Sequence, residues 1–432
     1  MIRFVLILYN AVALPVMNLM SRVLALTDEK MRIGVAGRKR VFEDLEKAVQ
    51  TFGPTPRFWI HNSSMGEFEQ AKPIVAVLKE RLPNCRIIVS FFSPSGLAHV
   101  RDYTDADHLC YLPLDTRRNA ARFVDIIRPA AAVVIRHDFW PNHLKALNRR
   151  GIPLILANCS IRHQSHLKWR IVLEANRYLY GCFDEILTIS QEAADLFRHY
   201  RLGDGEVTVV GDTRYDQVVR RAKTAENIVA PLRELKGSRP AFVMGSTWPS
   251  DEAVLIEALC RLKEDGLLPW LVFVPHEPTE EHLSRLEKEL ESCGLHSQRL
   301  SRTRFDRTDG GDALLVDRIG ILASLYALAD VAFVGGGFGP GVHNVLEPAA
   351  LSNAVLYGPR CDNSYEAGQL VRRGVGYVVR DSADAYRLLH GFLQDDEKRI
   401  ALGGKGRDLV AQNVGATDRI VSHILARIGR HD

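Results

Sequence analysis

From residue 55 onward, short β-prone apolar runs alternate with helical stretches, and the whole series occurs twice. Arg57–His61, Arg86–Ser90, Ala131–Arg136, Pro153–Ala157 and Glu185–Ile189 form the first series, closed by Thr208–Val210. Ala241–Met244, Trp270–Val274, Ala313–Val316, Val331–Gly335 and Ala354–Tyr357 form the second. Each run is bounded by turn residues or a helical segment, as parallel βαβ units require. Between the two series the pattern lapses into a charged stretch ending Leu235-Lys236-Gly237-Ser238-Arg239-Pro240. The expectation is an α/β chain with two Rossmann-like domains, at 41–226 and 241–432, joined by a linker at 227–240. The 432 residues fit two domains at roughly 100–200 residues each. Such a pair would make a cleft between the carboxyl ends of its strands, where open α/β sheets bind ligands.

The charge balance, 56 Lys and Arg against 52 Asp and Glu, is too even for a dedicated nucleic-acid binder. The seven cysteines are scattered and contain no Cys-x-x-Cys pair. Neither a disulfide framework nor a zinc site is expected, and a reducing compartment fits them better. Fifteen histidines show no paired metal-ligand spacing, and no Gly-x-Ser-x-Gly elbow supports a serine hydrolase. Asp105-Ala106-Asp107 has the form of a metal-binding pair, but it precedes a strand, and solvation explains it better.

Residues 1–40 read as a membrane anchor. Phe4–Ser21 carries no charge, at the short end of the roughly 17–25 residues that span a bilayer. Asn10, Pro15 and Asn18 weaken it as a free-standing span, and no small-residue cleavage site follows. Arg22, Lys30, Arg32, Arg38, Lys39 and Arg40 then form a basic segment suited to anionic headgroups on the cytoplasmic side. The alternative is an apolar helix packed on the protein's own surface.

The most informative segment is Gly335-Gly336-Gly337-Phe338-Gly339-Pro340-Gly341-Val342-His343-Asn344-Val345-Leu346-Glu347-Pro348. A buried strand runs into five glycines within seven residues, and a helix is expected from His343–Asn344. Glycines let backbone approach a ligand, and free N–H groups at a helix start attract an anion. Glu347 would then face ribose hydroxyls. The competing reading is a tight turn capped by Asn344 with a solvated glutamate. The segment is neither a Walker loop nor a Gly-x-Gly-x-x-Gly after a first strand, which disfavours a dehydrogenase. Earlier in the chain, Glu67 follows the first strand and a Ser/Gly turn. Its carboxylate could take a proton from an attacking hydroxyl. Ser64-x-x-Glu67 is equally a capping box, which needs no chemistry.

Several motifs in order resemble those of the 3-deoxy-D-manno-octulosonic acid (Kdo) transferases. They are Ser63-Ser64-Met65-Gly66-Glu67, Phe139-Trp140-Pro141-Asn142, Gly211-Asp212-Thr213-Arg214-Tyr215-Asp216, Gly245-Ser246-Thr247-Trp248, Pro275-His276-Glu277-Pro278, Asp317-Arg318-Ile319-Gly320 and the glycine loop. The resemblance covers nearly the whole chain, including the apolar start. It implies a two-domain GT-B glycosyltransferase that moves Kdo from CMP-Kdo to a lipid A precursor, with inversion. Because the acidic pair at Asp105 and Asp107 reads as solvated, no metal or other cofactor is expected, and charge on the departing CMP would be met by helix N-termini and basic side chains. The resemblance implies that Glu67 is the base. Asp138 stands where many relatives carry glutamate, and it would orient the acceptor or a basic side chain; Trp140-Pro141 serves packing equally well. CMP would lie against Pro275, His276, Ile319, Gly320, Ile321, Gly336, Gly337, Asn344, Val345, Leu346 and Glu347. His276 replaces an arginine common in relatives, and Ile321 a glutamate. The implied location is the cytoplasmic face of the inner membrane, with an anionic membrane surface as partner and no nucleic acid. A UDP-sugar transferase or epimerase, or a non-catalytic membrane-bound scaffold, are the competing functions.

Overall fold

The computed structural model describes residues 2–98, 100, 103–161, 169–203, 205–224, 226–303 and 311–429. Two compact units result, one of Met1–Gln217 with Val414–Asp432 and one of Val218–Asn413. Each is built on a seven-stranded parallel sheet. The first contains β1 (Arg57–Asn62), β2 (Arg86–Phe91), β3 (His108–Tyr111), β4 (Ala131–Ile135), β5 (Leu154–Cys159), β6 (Glu185–Thr188) and β7 (Glu206–Val209), in the order β3-β2-β1-β4-β5-β6-β7. The second contains β8 (Ala241–Thr247), β9 (Trp270–Pro275), β10 (Ser297–Arg299), β11 (Ala313–Leu315), β12 (Val331–Val334), β13 (Ala354–Tyr357) and β14 (Gly376–Val378), in the order β10-β11-β9-β8-β12-β13-β14.

Both sheets are buried on both faces, as the near-continuous apolar runs demand. Along β1, Trp59 enters one core with Ile88, Ala132 and Val134. Its neighbours Phe58 and Ile60 enter another with Ile87, Val89 and Val133. The register sets Phe58 beside Ile87 and Ala131, so a one-residue slip would exchange the two cores. The strand order reverses between β1 and β4 in the first sheet, and between β8 and β12 in the second. Ligands of open α/β sheets bind at such points, beyond the carboxyl ends of the strands.

The domain limits differ from those read in the sequence. Residues 226–236 are helical rather than a linker, and they bury Val229, Leu232 and Leu235. The final helix, Ala416–Ile428, belongs to the first unit. Its Ile420, Val421 and Ile424 join Phe68 and Ile74 in the core, and Asp216 accepts from the N–H groups of Gly415 and Thr417 at its start. Apolar periodicity marks a helix but not the sheet it covers, so this return was hidden. The short strands β10 and β14 were missed because three residues carry little pattern.

Residues 1–40 are not a separate segment either. Asp28 caps the helix Glu29–Gln50, accepting from the Met31 N–H, and that helix buries Val41 and Leu45 in the first unit. A Cβ on Gly37 would lie 2.2 Å from the Tyr111 ring, so glycine permits the close approach. Arg38 leaves the basic surface cluster. Its guanidinium donates to the carbonyls of Phe92 and Leu112 and lies over the Phe92 ring. Asp107 is likewise not simply solvated. It is paired with Lys79 at 2.6 Å and Arg86 at 2.7 Å, and accepts from the Ile87 N–H. Cys260 and Cys293 form a disulfide, against the expectation of free thiols. The packing of helices Pro249–Glu264 and Glu280–Ser292 brings their Cα atoms to 5.7 Å across 33 residues, which spacing alone does not reveal.

Candidate functional site

In the first unit, Glu67 and Asp138 come to the switch point from adjacent strands. Glu67 is the third residue of helix Met65–Arg81, which begins three residues after β1, and Asp138 lies three residues after β4. The chain leaves β4 through Arg136, whose φ of +63° is a left-handed conformation unfavourable for a side chain. That bend is held by the Arg136 Nε hydrogen bond to Gln70 Oε1 at 3.0 Å. The expected capping box does not form: the Ser64 side chain makes no cap, and the Glu67 carboxylate accepts from the N–H of Ser63, the residue before the N-cap.

A buried relay ends on Asp138. Trp59 Nε1 donates to Ser90 Oγ at 2.8 Å, and Ser90 Oγ lies 2.8 Å from His61 Nδ1. His61 Nε2 lies 2.9 Å from Asp138 Oδ2. Because Ser90 accepts from Trp59, its own proton is free for His61 Nδ1. A neutral His61 therefore carries its proton on Nε2 and donates it to Asp138. His61 is buried at 2% exposure, so the relay is shielded from water.

These contacts separate the two carboxyl groups. Burial raises the proton affinity of Glu67 above its ordinary value; the Ser63 N–H opposes the rise and the nearby Asp138 charge adds to it. Burial also works to raise Asp138, but the His61 hydrogen bond and charge, with the Trp140 and Ser63 side chains, together outweigh it and leave Asp138 below its ordinary value. One carboxylate is thus a stronger base and the other a fixed negative charge. Glu69 is occupied elsewhere, with Lys72 at 2.5 Å and Gln217 at 3.3 Å.

In the second unit, the glycine loop follows β12 at its switch point. Much of its glycine content serves close packing within the unit. A Cβ on Gly335 would lie 2.2 Å from the Ser246 carbonyl oxygen, and one on Gly337 2.5 Å from the Gly358 backbone. Asp251, fully buried, binds the loop from below. Its carboxylate accepts from the N–H groups of Gly336 at 2.8 Å, Phe338 at 3.1 Å and Trp248 at 2.9 Å. The Gly336 N–H is therefore already committed and does not await an anion. The helix begins later than expected, at Leu346, with Asn344 Oδ1 accepting from the Leu346 N–H. Among the described residues, the N–H groups of Asn344 and Val345 have no acceptor.

Val345 and Leu346 turn their side chains into the core, so only their backbone is available to a ligand. Glu347 is mostly buried and paired with Arg221 at 3.0 Å rather than solvated. Pro275 ends β9, and His276 follows it with an exposed ring stacked on Trp248 (centroids 4.9 Å apart) and on His343 (4.6 Å). Trp248 Nε1 donates to His343 Nε2 at 3.2 Å. His343 is pushed down to about 4, by burial first and then by His276, so it is neutral at pH 7 and accepts that bond. Ile319, Gly320 and Ile321 lie after β11. Ile319 is exposed, Gly320 has φ +92°, and Ile321 starts the helix Leu322–Leu325, whose Leu322 packs on Gly245 at β8.

Sequence reasoning missed His61 and Ser90 in the first unit and Asp251 and Arg221 in the second, and it named Trp248 only within a motif. For His61 a signal was present: a polar residue ending an apolar strand at a sheet's centre. Arg221 and Glu347 are 126 residues apart, and no local pattern pairs them.

The family model for 3-deoxy-D-manno-octulosonic-acid transferase matches residues 32–217. A 3-deoxy-D-manno-octulosonic acid transferase of Haemophilus influenzae is 27% identical over 85% of this chain and 86% of its own length. That of Aquifex aeolicus is 28% identical over 81% of this chain and 90% of its own. Among solved structures, a UDP-GlcNAc 2-epimerase from Neisseria meningitidis superposes with a TM-score of 0.61 at 11% identity, covering 86% of this chain and all of that one. A glycosyltransferase from Rickettsia africae gives 0.54 at 12% identity, over 86% of this chain and 99% of that one. These two structural likenesses carry the GT-B-like fold, and the sequence matches make the chain similar to the Kdo transferases, a family of glycosyltransferases, over most of its length.

Proposed function

We propose that this protein transfers Kdo from CMP-Kdo to a lipid A precursor, with inversion, at the cytoplasmic face of a bacterial inner membrane. The observation that carries the reading is Glu67. It is a half-buried carboxylate of raised proton affinity at the switch point of the first sheet, beside a second carboxylate held ionised by His61. An acceptor hydroxyl gives its proton to Glu67 as its oxygen forms the new bond to the anomeric carbon. The bond from that carbon to the CMP phosphate oxygen breaks, and CMP leaves with the electron pair.

The second unit holds the donor on this reading. The exposed His276 ring and the loop Ile319–Ile321 serve the nucleotide, the Asn344 and Val345 N–H groups the phosphate, and Glu347 the ribose. Gly336 and Gly337 shape the loop. Negative charge on the departing CMP is met by backbone dipoles and basic side chains, with no divalent ion and no other cofactor. The exposed apolar helix Ile2–Leu24 and the basic residues after it supply the attraction to an anionic membrane.

The test is an assay of the purified protein with CMP-Kdo and a tetraacylated lipid A precursor, products resolved by mass. Kdo-bearing product is expected. Binding of UDP in preference to CMP would favour a UDP-sugar enzyme, and absence of turnover with intact CMP binding would favour a scaffold.

A further inference from the structure

Two polar residues of the N-terminal apolar run, Tyr9 and Asn10, are hydrogen-bonded to the first unit. Ile2–Leu24 is one helix of 23 residues with a π-helical turn at Tyr9–Ala13. The turn directs Tyr9 and Asn10 onto the first unit. Tyr9 donates its hydroxyl proton to Asp115 Oδ2 at 2.9 Å, and Asn142 Nδ2 donates to Asn10 Oδ1 at 2.9 Å. Asp115 is fully buried. It also accepts from the N–H groups of Asn142 and His143, at 3.0 and 2.9 Å, and lies 2.6 Å from His143 Nδ1. One turn on from Asn10, Leu14 is 2% exposed. The opposite side of the helix is bare: Phe4, Leu8, Val12, Val16, Leu19 and Val23 form an exposed stripe at three- and four-residue spacing. Exposed Trp169 adjoins helix Arg170–Tyr180, which packs beside the start of this helix.

We infer that this helix lies along the membrane surface, clasped to the first unit by Tyr9–Asp115 and Asn10–Asn142, and does not cross the bilayer. At about 1.5 Å per residue the helix is about 35 Å long, enough to span a hydrocarbon core of about 30 Å. Its middle, however, is the clasp. A spanning orientation would put Tyr9–Leu14 near the midplane and draw Asp115, Asn142 and the surrounding strand ends into hydrocarbon. Placing such polar groups and a folded α/β unit there is prohibitively unfavourable. A helix lying flat satisfies both sides: one face keeps its hydrogen bonds, and the stripe enters the acyl boundary. Exposed Arg3, Arg22, Lys30 and Arg32 meet anionic headgroups. Asn142 stands four residues after Asp138, so the clasp also ties the membrane surface to the segment carrying that carboxylate.

The inference rests on the membrane reading above, and topology labelling separates the two. Full-length Arg3→Cys is expressed in a Gram-negative host and treated with a membrane-impermeant maleimide, in intact spheroplasts and in inverted vesicles. Cys361, the free thiol that is not buried among the described residues, reports the side on which the second unit stands. The expected result is modification of position 3 and of Cys361 in inverted vesicles only, with equal ratios between the two preparations. Modification of position 3 in intact spheroplasts, with Cys361 protected, would overturn the flat orientation and leave membrane attachment standing. Recovery of the protein in the soluble fraction would overturn both.

Discussion

The two sheets present their switch points differently, although their topologies nearly match. In the first unit the strand ends carry ionisable side chains bonded to one another, with Glu67 accepting one backbone N–H and retaining lone pairs. In the second, the buried carboxylate Asp251 accepts from three backbone N–H groups and serves as structure. The groups proposed to face the donor there are a stacked ring, backbone and Glu347, which Arg221 already holds. Burial raises the proton affinity of both carboxyl groups, but one with a single backbone donor keeps room for a hydroxyl proton, whereas one with three is committed to holding a loop in shape. The comparison teaches that a shared fold sets comparable strand ends, while the number of backbone donors already bound to each carboxylate separates their work.

The largest effect that could break this division is on turnover. Glu67→Gln keeps an oxygen for the Ser63 N–H but cannot take a proton, so transfer should fall by roughly 10²–10⁴-fold. Stability should hold or rise slightly at neutral pH. The raised folded-state proton affinity means that folding is progressively disfavoured as pH rises from the unfolded value of about 4.3 through the folded one, and glutamine removes that dependence. Near-normal turnover would return Glu67 to a capping role.

A smaller effect is expected on the donor side. Glu347→Ala should weaken CMP binding by about tenfold, the scale of one charge-assisted hydrogen bond. Calorimetry giving wild-type affinity would remove Glu347 from the donor site and leave it as the partner of Arg221 alone.

The smallest effect sharpens the first unit's electrostatics. Activity should rise with pH through the Glu67 titration, with the limb above the ordinary glutamate range. Asp138→Asn removes a charge that adds to the raised proton affinity of Glu67, so the limb in kcat/KM should move to lower pH. A limb that stays in place would mean that burial alone sets Glu67.

Much of this was legible before the structure. Two series of doubly buried strands announced two parallel sheets, and the residues after β1, β4, β9 and β12 could be named because such strand ends bind ligands. What stayed hidden depends on distance along the chain. The Ala416–Ile428 helix returns to the first unit, and the Cys260–Cys293 bond and the Arg221–Glu347 pair join residues without local signal. The glycine loop was legible as a turn after a buried strand but not in its packing, because Gly335 and Gly337 answer first to Ser246 and Gly358. Asn10 was read as a weakness in a span, when it is a contact to Asn142.

The division of labour between the units is tested most directly by CMP calorimetry on Glu67→Gln, run beside the wild-type protein and Glu347→Ala. The account predicts that Glu67→Gln, though nearly inactive, binds CMP with wild-type affinity while Glu347→Ala binds it more weakly. A loss of CMP affinity in Glu67→Gln equal to that in Glu347→Ala would contradict it, because proton removal and donor binding would then not belong to separate units.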